Sequence, residues 1–572
     1  MGFINQVPVL HKPWHFLRTY VLTIPRFDLF LQGAMLIVIL LDHNVFLLLQ
    51  RDADTGLTVP LTQDFVLMGV GGAEFFLGAA LAWWGRGKRN FALAGWLTAA
   101  AASGLVVLAF PFAEPNPPSV DLCGGGVISG YSGYSYDIHQ FIVPRTVFLV
   151  LTAILCAFAK ISIWAHGMTY LDDHQPENGP YFYGILISIR LSLGLSGKDW
   201  LRGSAVRDDW WEAQLSLSML TLMFAVLFTL FPKRMHNSEG LLVEVEPDDG
   251  GFFAAVGRVL SRKYLILQIG ALGFINAGLF SFVYYDWDYI EARYHVEAAR
   301  ADLRSPTLVA RTFRPLVIIF FVMIFRVRFS VRRSDGVKAN TASRVGGIVA
   351  IFVAIFFAVI AAISCDTGDV AGMEDGTFES PICSNQCFCE SHRYGFAPVC
   401  ALDTSTTYFS PCQAGCSDYE DLNSFLVFGN CTCSASLVVR GACALPSCHF
   451  VYSIYQVILT VILAVSGAAL LMQGMVFLRA VQRRDKPVAM GVMLAAIGLL
   501  AHVLGHLLYK LISHLTCAYS VDGTCQFHRP TIFSMAAISA GFCLLSAIVS
   551  IIASKVAVSS KGENESNGGV DL

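Results

Sequence analysis

The sequence predicts an all-α polytopic membrane protein with a small disulfide-rich domain outside the bilayer. Of 572 residues, 55% are hydrophobic and 14% are charged, whereas a soluble globular chain carries nearer a quarter charged residues. The mean hydropathy is +0.58, and apolar runs of about twenty residues, each long enough to cross a bilayer, recur from end to end. A polar segment between two of these runs, Cys365–Cys448, holds eleven cysteines. It is too polar to bury a sizeable apolar core, so disulfides are expected to stabilise it instead.

Twelve apolar runs are predicted to be membrane-spanning helices. Their approximate bounds are Asp28–Leu49, Phe65–Trp84, Ala92–Phe112, Val143–Met168, Tyr181–Leu201, Trp210–Phe231, Tyr264–Tyr285, Pro306–Phe325, Gly346–Ser364, Val451–Phe477, Ala489–Leu511 and Ile532–Ala553.

Basic residues cluster in the turns that follow even-numbered spans, for example Arg86–Arg89 and Arg479–Lys486. Because cytoplasmic loops are enriched in Lys and Arg, both termini are expected inside and the Cys-rich segment outside. No cleavable signal peptide is recognised, so the first helix is expected to act as the signal. The expected segments are a cytoplasmic N-terminus (1–27), spans 1–6 (28–232), a cytoplasmic connector (233–263), spans 7–9 (264–364), the Cys-rich loop (365–448), spans 10–12 (449–554) and a cytoplasmic tail (555–572).

Disulfides are the expected chemistry of the Cys-rich segment. Zinc is the alternative, because Cys387 and Cys389 lie close together, but no His/Cys pairs repeat at zinc-finger spacing. Asn430 begins an Asn-Cys-Thr glycosylation sequon, and an outside location would also be oxidising. Connectivity cannot be read from sequence. The cysteines expected in disulfides, with Cys123 completing an even number, are Cys365, Cys383, Cys387, Cys389, Cys400, Cys412, Cys416, Cys431, Cys433, Cys443, Cys448, Cys517 and Cys525.

Short motifs within the segment resemble a Kazal-type module, namely Pro398–Cys400, Thr407–Cys412 and Ala414–Cys416. A Kazal-like loop between two membrane spans is the hallmark of the organic anion transporting polypeptides, the solute carrier organic anion family. Two other stretches resemble motifs of that family: the basic turn Gly85–Asn90 after the second span and the junction Gly167–Asp173 after the fourth. The chain is therefore similar to this family, as a divergent member.

The resemblance implies a major facilitator-type fold of two six-helix halves around a central cavity. It also implies sodium-independent secondary transport of large amphipathic organic anions across the plasma membrane by alternating access. No cofactor, metal or nucleic acid is expected, and no catalytic motif points to an enzyme. An extracellular protein partner for the Kazal-like loop is left open.

An anion site near the midplane of such a fold requires cations, which are costly in a bilayer unless they face water or a partner. Arg190 near the middle of span 5 is the hardest to explain otherwise. His502 and His506 share one face of span 11, although both would also serve as hydrogen-bonded core histidines. Arg311 could equally mark the start of span 8. The candidate cavity residues are Glu74, Lys160, Arg190, Arg311, Arg314, His502 and His506.

Several intramembrane charges also have a structural interpretation. Lys160 could form an ion pair with Glu74 or Asp42 rather than bind a solute. Arg145 and Lys510 lie near span ends, where long basic side chains are expected to snorkel towards the interface.

The chain departs from the family pattern in three spans. Lys160 stands where the fourth helix of the family carries an acid, Arg190 accompanies the loss of a Gly-Pro pair in the fifth, and Gly498 replaces a pore arginine in the eleventh. Because lost Gly and Pro could stiffen the helices, a transport-deficient receptor or scaffold is the alternative function. Protease inhibition by the Kazal-like loop is a weaker third hypothesis.

Overall fold

The computed structural model describes most of the membrane region and much of the Cys-rich loop. The described residues are 22–54, 62–112, 120–124, 127–128, 141–206, 209–232, 250–294, 313–314, 316–324, 338–365, 370–374, 377–389, 396–422, 425–443, 446–521 and 524–566.

The chain forms a bundle of long helices with a small β domain on one face. The helices are α1 (Ile24–Asp54), α2 (Thr62–Trp84), α3 (Arg89–Val107), α4 (Ile142–Ser162), α5 (Gly179–Val206), α6 (Trp210–Leu230), α7 (Phe252–Leu260), α8 (Lys263–Tyr284), α9 (Asp286–Tyr294), α10 (Ala339–Ala362), α11 (Pro446–Arg479), α12 (Lys486–Ile497) and α13 (Ser534–Ser566).

Within the described residues, ten helices are long and apolar enough to cross a membrane. Helix α5 and the helical residues 316–324 correspond to the other two predicted spans. The predicted fold class, a polytopic helical membrane protein with a disulfide-rich domain, is confirmed. The start of the eighth predicted span, including Arg311, lies outside the described residues.

Local sequence explains several helix ends. Helices α5, α11 and α12 carry Pro180, Pro446 and Pro487 in their first turns, where the missing N–H is not needed. Helix α6 ends before Pro232, because a residue that precedes proline favours an extended backbone. Phe231 accordingly has φ −72° and ψ 140°.

Two spans in the described part of the chain contain a π-helical segment. Helix α4 continues through Ile163–Met168 into a last turn, Thr169–His174, and α12 continues through Gly498–Gly505 into His506–Leu515. We treat these continuations as parts of α4 and α12. Since π segments are frequent at functional sites, both stretches are candidates for a functional role.

Helices α2 and α12 pack closely because glycines line their contact. A Cβ added at Gly498 would lie 2.9 Å from the Cβ of Glu74 and 3.0 Å from the carbonyl oxygen of Gly71. A Cβ at Gly491 would lie 2.7 Å from the carbonyl oxygen of Gly78. Small residues thus bring the two backbones together, as is usual between membrane helices.

The β domain is a six-stranded sheet in the order β3-β7-β6-β10-β9-β8. Its strands are β3 (Val370–Ala371), β6 (Val399–Ala401), β7 (Thr406–Tyr408), β8 (Cys416–Leu422), β9 (Phe425–Cys431) and β10 (Val438–Arg440). The other six strands form three small two-stranded hairpins. These pairs are β1 (Val120–Asp121) with β2 (Val127–Ile128), β4 (Met373–Glu374) with β5 (Thr377–Phe378), and β11 (Cys517–Val521) with β12 (Thr524–His528).

Seven disulfides stabilise this region and include all fourteen cysteines predicted outside the membrane. The pairs are Cys123–Cys387, Cys365–Cys448, Cys383–Cys433, Cys389–Cys412, Cys400–Cys443, Cys416–Cys431 and Cys517–Cys525. The prediction of disulfide bonds is confirmed. Among the described residues, Cys156 and Cys543 have free thiols, and both are buried.

The β1–β2 hairpin belongs to the loop between α3 and α4, yet it packs on the β domain. Besides the Cys123–Cys387 bond, the Cys123 backbone N–H donates to the carbonyl of Cys416 at 2.8 Å. Leu122 belongs to the apolar core of the domain. The domain is therefore attached covalently to loops from both halves of the bundle.

Candidate functional site

A central cavity lies between the two halves of the bundle. It has about 210 Å³ of space for the centres of water-sized spheres, and one water needs roughly 10–15 Å³ of such space, so on the order of ten or more waters fit. Its lining extends from Trp164 and Ile497 to Gln63 and Tyr284, at helix ends beneath the β domain. Charged side chains are tolerated at membrane depth when they face such a cavity. We call the side with the β domain the disulfide face and the opposite side the basic face.

Six of the seven candidate residues line this cavity: Glu74, Lys160, Arg190, Arg314, His502 and His506. The seventh, Arg311, lies outside the described residues.

Lys160 is neutralised by an acidic partner. Its Nζ lies 2.8 Å from Oδ2 of Asp42 on α1, one of the two partners that the sequence suggested. Both side chains are mostly buried, with 22% and 13% exposure. The pair places a dipole on the cavity wall, but its charges largely compensate each other.

Arg190 differs from Lys160 in its surroundings. It lies on α5, is partly exposed to the cavity, and has its guanidinium 5.0 Å from the centre of the Phe280 ring. No hydrogen bond or ion pair to another described residue is present for this guanidinium. A cation–π contact stabilises a cation without neutralising its charge. Arg190 therefore presents positive charge to the cavity.

Glu74 and His502 connect α2 with the π segment of α12. His502 Nδ1 lies 2.9 Å from Oε2 of Glu74. His506 and Lys510 follow one and two turns further along α12. Asp64, near the start of α2, contacts His506 Nε2 at 3.3 Å and Lys510 Nζ at 2.7 Å. The three basic residues of this α12 face therefore meet carboxylates of α2. Asp64 had no signal in the sequence beyond its place near the start of a span.

His506 also contacts a tyrosine at the end of α8, within its own half of the bundle. Its Nδ1 lies 3.3 Å from the hydroxyl of Tyr285, and the two rings stack with centroids 5.6 Å apart. Since the histidine is nearly fully buried, these contacts hold its ring in place between a carboxylate and a tyrosine.

Arg314 is held within the second half. Its Nη2 donates to Oε1 of Gln456 on α11 at 2.6 Å, and the side chain is buried while it still lines the cavity.

The expectation that Arg145 snorkels is wrong. The side chain is fully buried, its guanidinium lies 4.4 Å from the centre of the Phe112 ring, and it donates to the carbonyl of Pro111. An aromatic face and a backbone acceptor replace water as partners, so the charge need not reach the interface. Lys510, by contrast, is 47% exposed next to Asp64.

Ion pairs connect the two halves at the basic face. Lys486 Nζ lies 2.5 Å from Asp172 and 3.1 Å from Asp173. Asp173 also contacts Arg89 at 2.7 Å and Arg483 at 3.7 Å. The carboxylates end α4 in the first half, while Lys486 and Arg483 flank the start of α12 in the second. This network closes the basic side of the bundle in the conformation observed.

Helix α7 packs against the same face. Arg258 forms two hydrogen bonds to the carboxylate of Asp485, at 2.7 and 2.8 Å. Phe252 packs edge-on against Trp83 at the end of α2, with centroids 5.9 Å apart. The helix therefore contacts both halves next to the ion-pair network.

The fold and the cavity together define a class of protein: a two-half helical membrane protein with a cavity between the halves that is large enough for several waters and is lined by both acidic and basic side chains. The sequence model of the Organic Anion Transporter Polypeptide (OATP) family matches residues 206–531. The chain belongs to this family.

Curated relatives are distant. The chain is 22% identical over 499 residues to Solute carrier organic anion transporter family member 74D of Drosophila melanogaster, covering 77% of this chain and 58% of that protein. It is 24% identical over 471 residues to member 2B1 of Homo sapiens, covering 68% and 64%. The chain thus spans about three fifths of the length of these relatives. A crystal structure of a mutant of the nucleoside transporter NupG aligns with a TM-score of 0.44 at 12% identity, covering 92% of this chain and 99% of that one.

Proposed function

We propose that the protein is a plasma-membrane secondary transporter of large amphipathic organic anions that works by sodium-independent alternating access. The observation that carries this proposal is Arg190: a guanidinium with no ion-pair partner among the described residues, on a cavity between the halves that is large enough for several waters. Family membership supports the same class of solute.

The cavity suits an amphipathic anion. Aromatic and aliphatic side chains surround Arg190, including Trp164, Phe280, Leu494 and Ile497. An anionic group can displace the Phe280 contact and form charge-assisted hydrogen bonds to the guanidinium fork. The apolar body of the solute would then lie on the apolar wall, which removes its surface from water.

The ion pairs at the basic face would form and break as that side of the transporter closes and opens. Lys486 and Arg483 must separate from Asp172 and Asp173 before that side can open. Because the side chains of Lys486 and Asp172 are only 11% and 2% exposed, this closure can be reversed only if water reaches the separated charges as the halves rock. The proposed orientation places the disulfide face outside the cell and both termini in the cytoplasm. Asn430, exposed at the end of β9, would be glycosylated there.

The test is uptake of a labelled sulfated steroid into cells that express the chain, at two external pH values, with surface expression measured alongside. We expect saturable uptake above mock cells. Arg190→Ala should abolish it at normal surface expression, whereas Lys555→Ala, which removes an exposed cation of α13, should have no effect. Unchanged uptake by Arg190→Ala would remove this residue from the mechanism. Absence of uptake in the fully expressed wild type would favour the receptor or scaffold instead.

A further inference from the structure

A second, smaller cavity lies on the other side of Arg190. It has about 30 Å³ of space for the centres of water-sized spheres. Five residues line both cavities: Trp164, Arg190, Phe280, Leu494 and Ile497. Side chains that line two neighbouring cavities stand between them, so these five residues form a partition.

The small cavity is on the basic side of the partition. Tyr183, which lines only this cavity, lies four residues into α5 and about 6 Å along its axis at 1.5 Å per residue. Met493 lies about 10 Å into α12 by the same measure. Both helices start at the basic face. Arg190 is about 16 Å into α5, close to the middle of a hydrocarbon core about 30 Å thick.

Both halves of the bundle contribute to the partition. Trp164 and Arg190 belong to α4 and α5, whereas Phe280 belongs to α8 and Leu494 and Ile497 to α12. Relative movement of the halves must therefore change the separation of these side chains. The backbone at Trp164 is also unusual, because this residue lies in the π-helical segment of α4.

Trp164 carries an unsatisfied donor. The residue is 3% exposed, and its indole N–H has no hydrogen-bond acceptor in the described part of the chain. Buried polar groups are usually paired. Because Trp164 and Arg190 line the same two cavities, a ligand at the partition that accepts from both the indole N–H and the guanidinium would satisfy both groups. An oxyanion such as a sulfate or carboxylate group has the required acceptor oxygens.

We propose that Trp164, Arg190 and Phe280 form an anion-selective gate between the two cavities. This inference rests on the proposed function and names the residues that determine its specificity. Arg190 and the indole N–H bind the anionic group at the partition, and the rings of Trp164 and Phe280 close the passage to the small cavity. When the rings separate, the small cavity becomes the start of the path to the basic face, and Arg190 borders both chambers throughout.

Cysteine labelling tests the gate without requiring transport. The two free cysteines of the described chain are buried, so an introduced thiol reports its own accessibility. Leu67→Cys lies in the central cavity alone and Ile187→Cys in the small cavity alone. With a small anionic methanethiosulfonate applied from outside, Leu67→Cys should react at least about tenfold faster than Ile187→Cys. Adding Phe280→Ala, or Trp164→Ala if that variant does not fold, should bring the Ile187→Cys rate close to that of Leu67→Cys.

Equal labelling of the two cysteines with intact rings would overturn the gate, as would an unchanged Ile187→Cys rate in both ring variants. A protein that labels as expected but shows no uptake would retain the gate while refuting transport. Trp164→Phe separates the two roles of the tryptophan: it should leave labelling unchanged and raise the KM for the anion several-fold. An unchanged KM would exclude the indole as a donor.

Discussion

The helical bundle and the β domain are stabilised in opposite ways. The β domain and its attached hairpins contain seven disulfides, whereas the halves of the bundle meet through glycine contacts and ion pairs such as Lys486–Asp172. Disulfides fix one arrangement, while non-covalent contacts, such as packed small residues and ion pairs, permit two. The difference indicates that the disulfide face is rigid and that the movement takes place between the helices.

The Cys123–Cys387 bond connects the helical bundle to the β domain. It joins the loop between α3 and α4 to the domain between α10 and α11. Any rocking of the halves must therefore carry the β1–β2 hairpin with the domain.

Removal of a long-range disulfide should have the largest effect. Replacing Cys400 and Cys443 with Ser opens a loop of 43 residues, for which loop entropy alone predicts a loss of about 4 kcal/mol. Replacing Cys517 and Cys525 opens a loop of 8 residues, with a predicted loss of about 2.5 kcal/mol. Surface expression and protease resistance of the β domain should fall further in the first variant. An equal loss in both would mean that local packing, not chain restriction, stabilises the domain.

A Cβ at the α2–α12 contact should have the next largest effect. Gly498→Ala places a methyl group 2.9 Å from Glu74, and overpacking of this kind typically costs about 1–3 kcal/mol. Gly541→Ala is the matched control, because nothing lies within 4 Å of its added Cβ. Thermal unfolding of the purified protein should separate the two variants. A Gly498→Ala protein as stable as Gly541→Ala would show that the helices separate easily at this point.

The smallest effect concerns pH at the disulfide face. Burial lowers the pKa of His528 from 6.5 to about 4, and its Nδ1 lies 3.4 Å from the hydroxyl of Thr516. Because the folded state disfavours the protonated ring, the stability present above pH 6.5 is lost as pH falls from 6.5 towards 4.

The difference in melting temperature between pH 7.5 and pH 5 should therefore be smaller in His528→Gln than in the wild type. An identical pH dependence would show that other groups determine the acid sensitivity.

Much of the architecture could be predicted because its signals are local. Long apolar runs identify spans whatever their neighbours, and a Cys-rich polar segment needs disulfides. The pairing could not be predicted, since Cys123 and Cys387 are 264 residues apart and only the fold brings them together.

The residues of the candidate site could also be predicted only in part. Arg190 was identifiable because a charge in mid-span is rare. Trp164 and Phe280 were missed, because aromatic residues on an apolar helix look like ordinary core residues until two cavities are seen on either side of them.

Gly498 illustrates what packing adds to the sequence pattern. The family resemblance places an arginine there, and its absence raised doubt about transport. The structure gives the glycine a role of its own, since α2 and α12 approach through it and an arginine would have to displace Glu74. Arg190, on another helix, supplies a cation to this cavity instead.

The most direct measurement compares the affinity of the purified protein for a sulfated steroid with its affinity for the unsulfated parent. The account predicts that the wild type binds the sulfate much more tightly and that Arg190→Gln loses most of this preference while retaining its affinity for the parent. An undiminished preference in Arg190→Gln would contradict the central claim that this guanidinium recognises the anion.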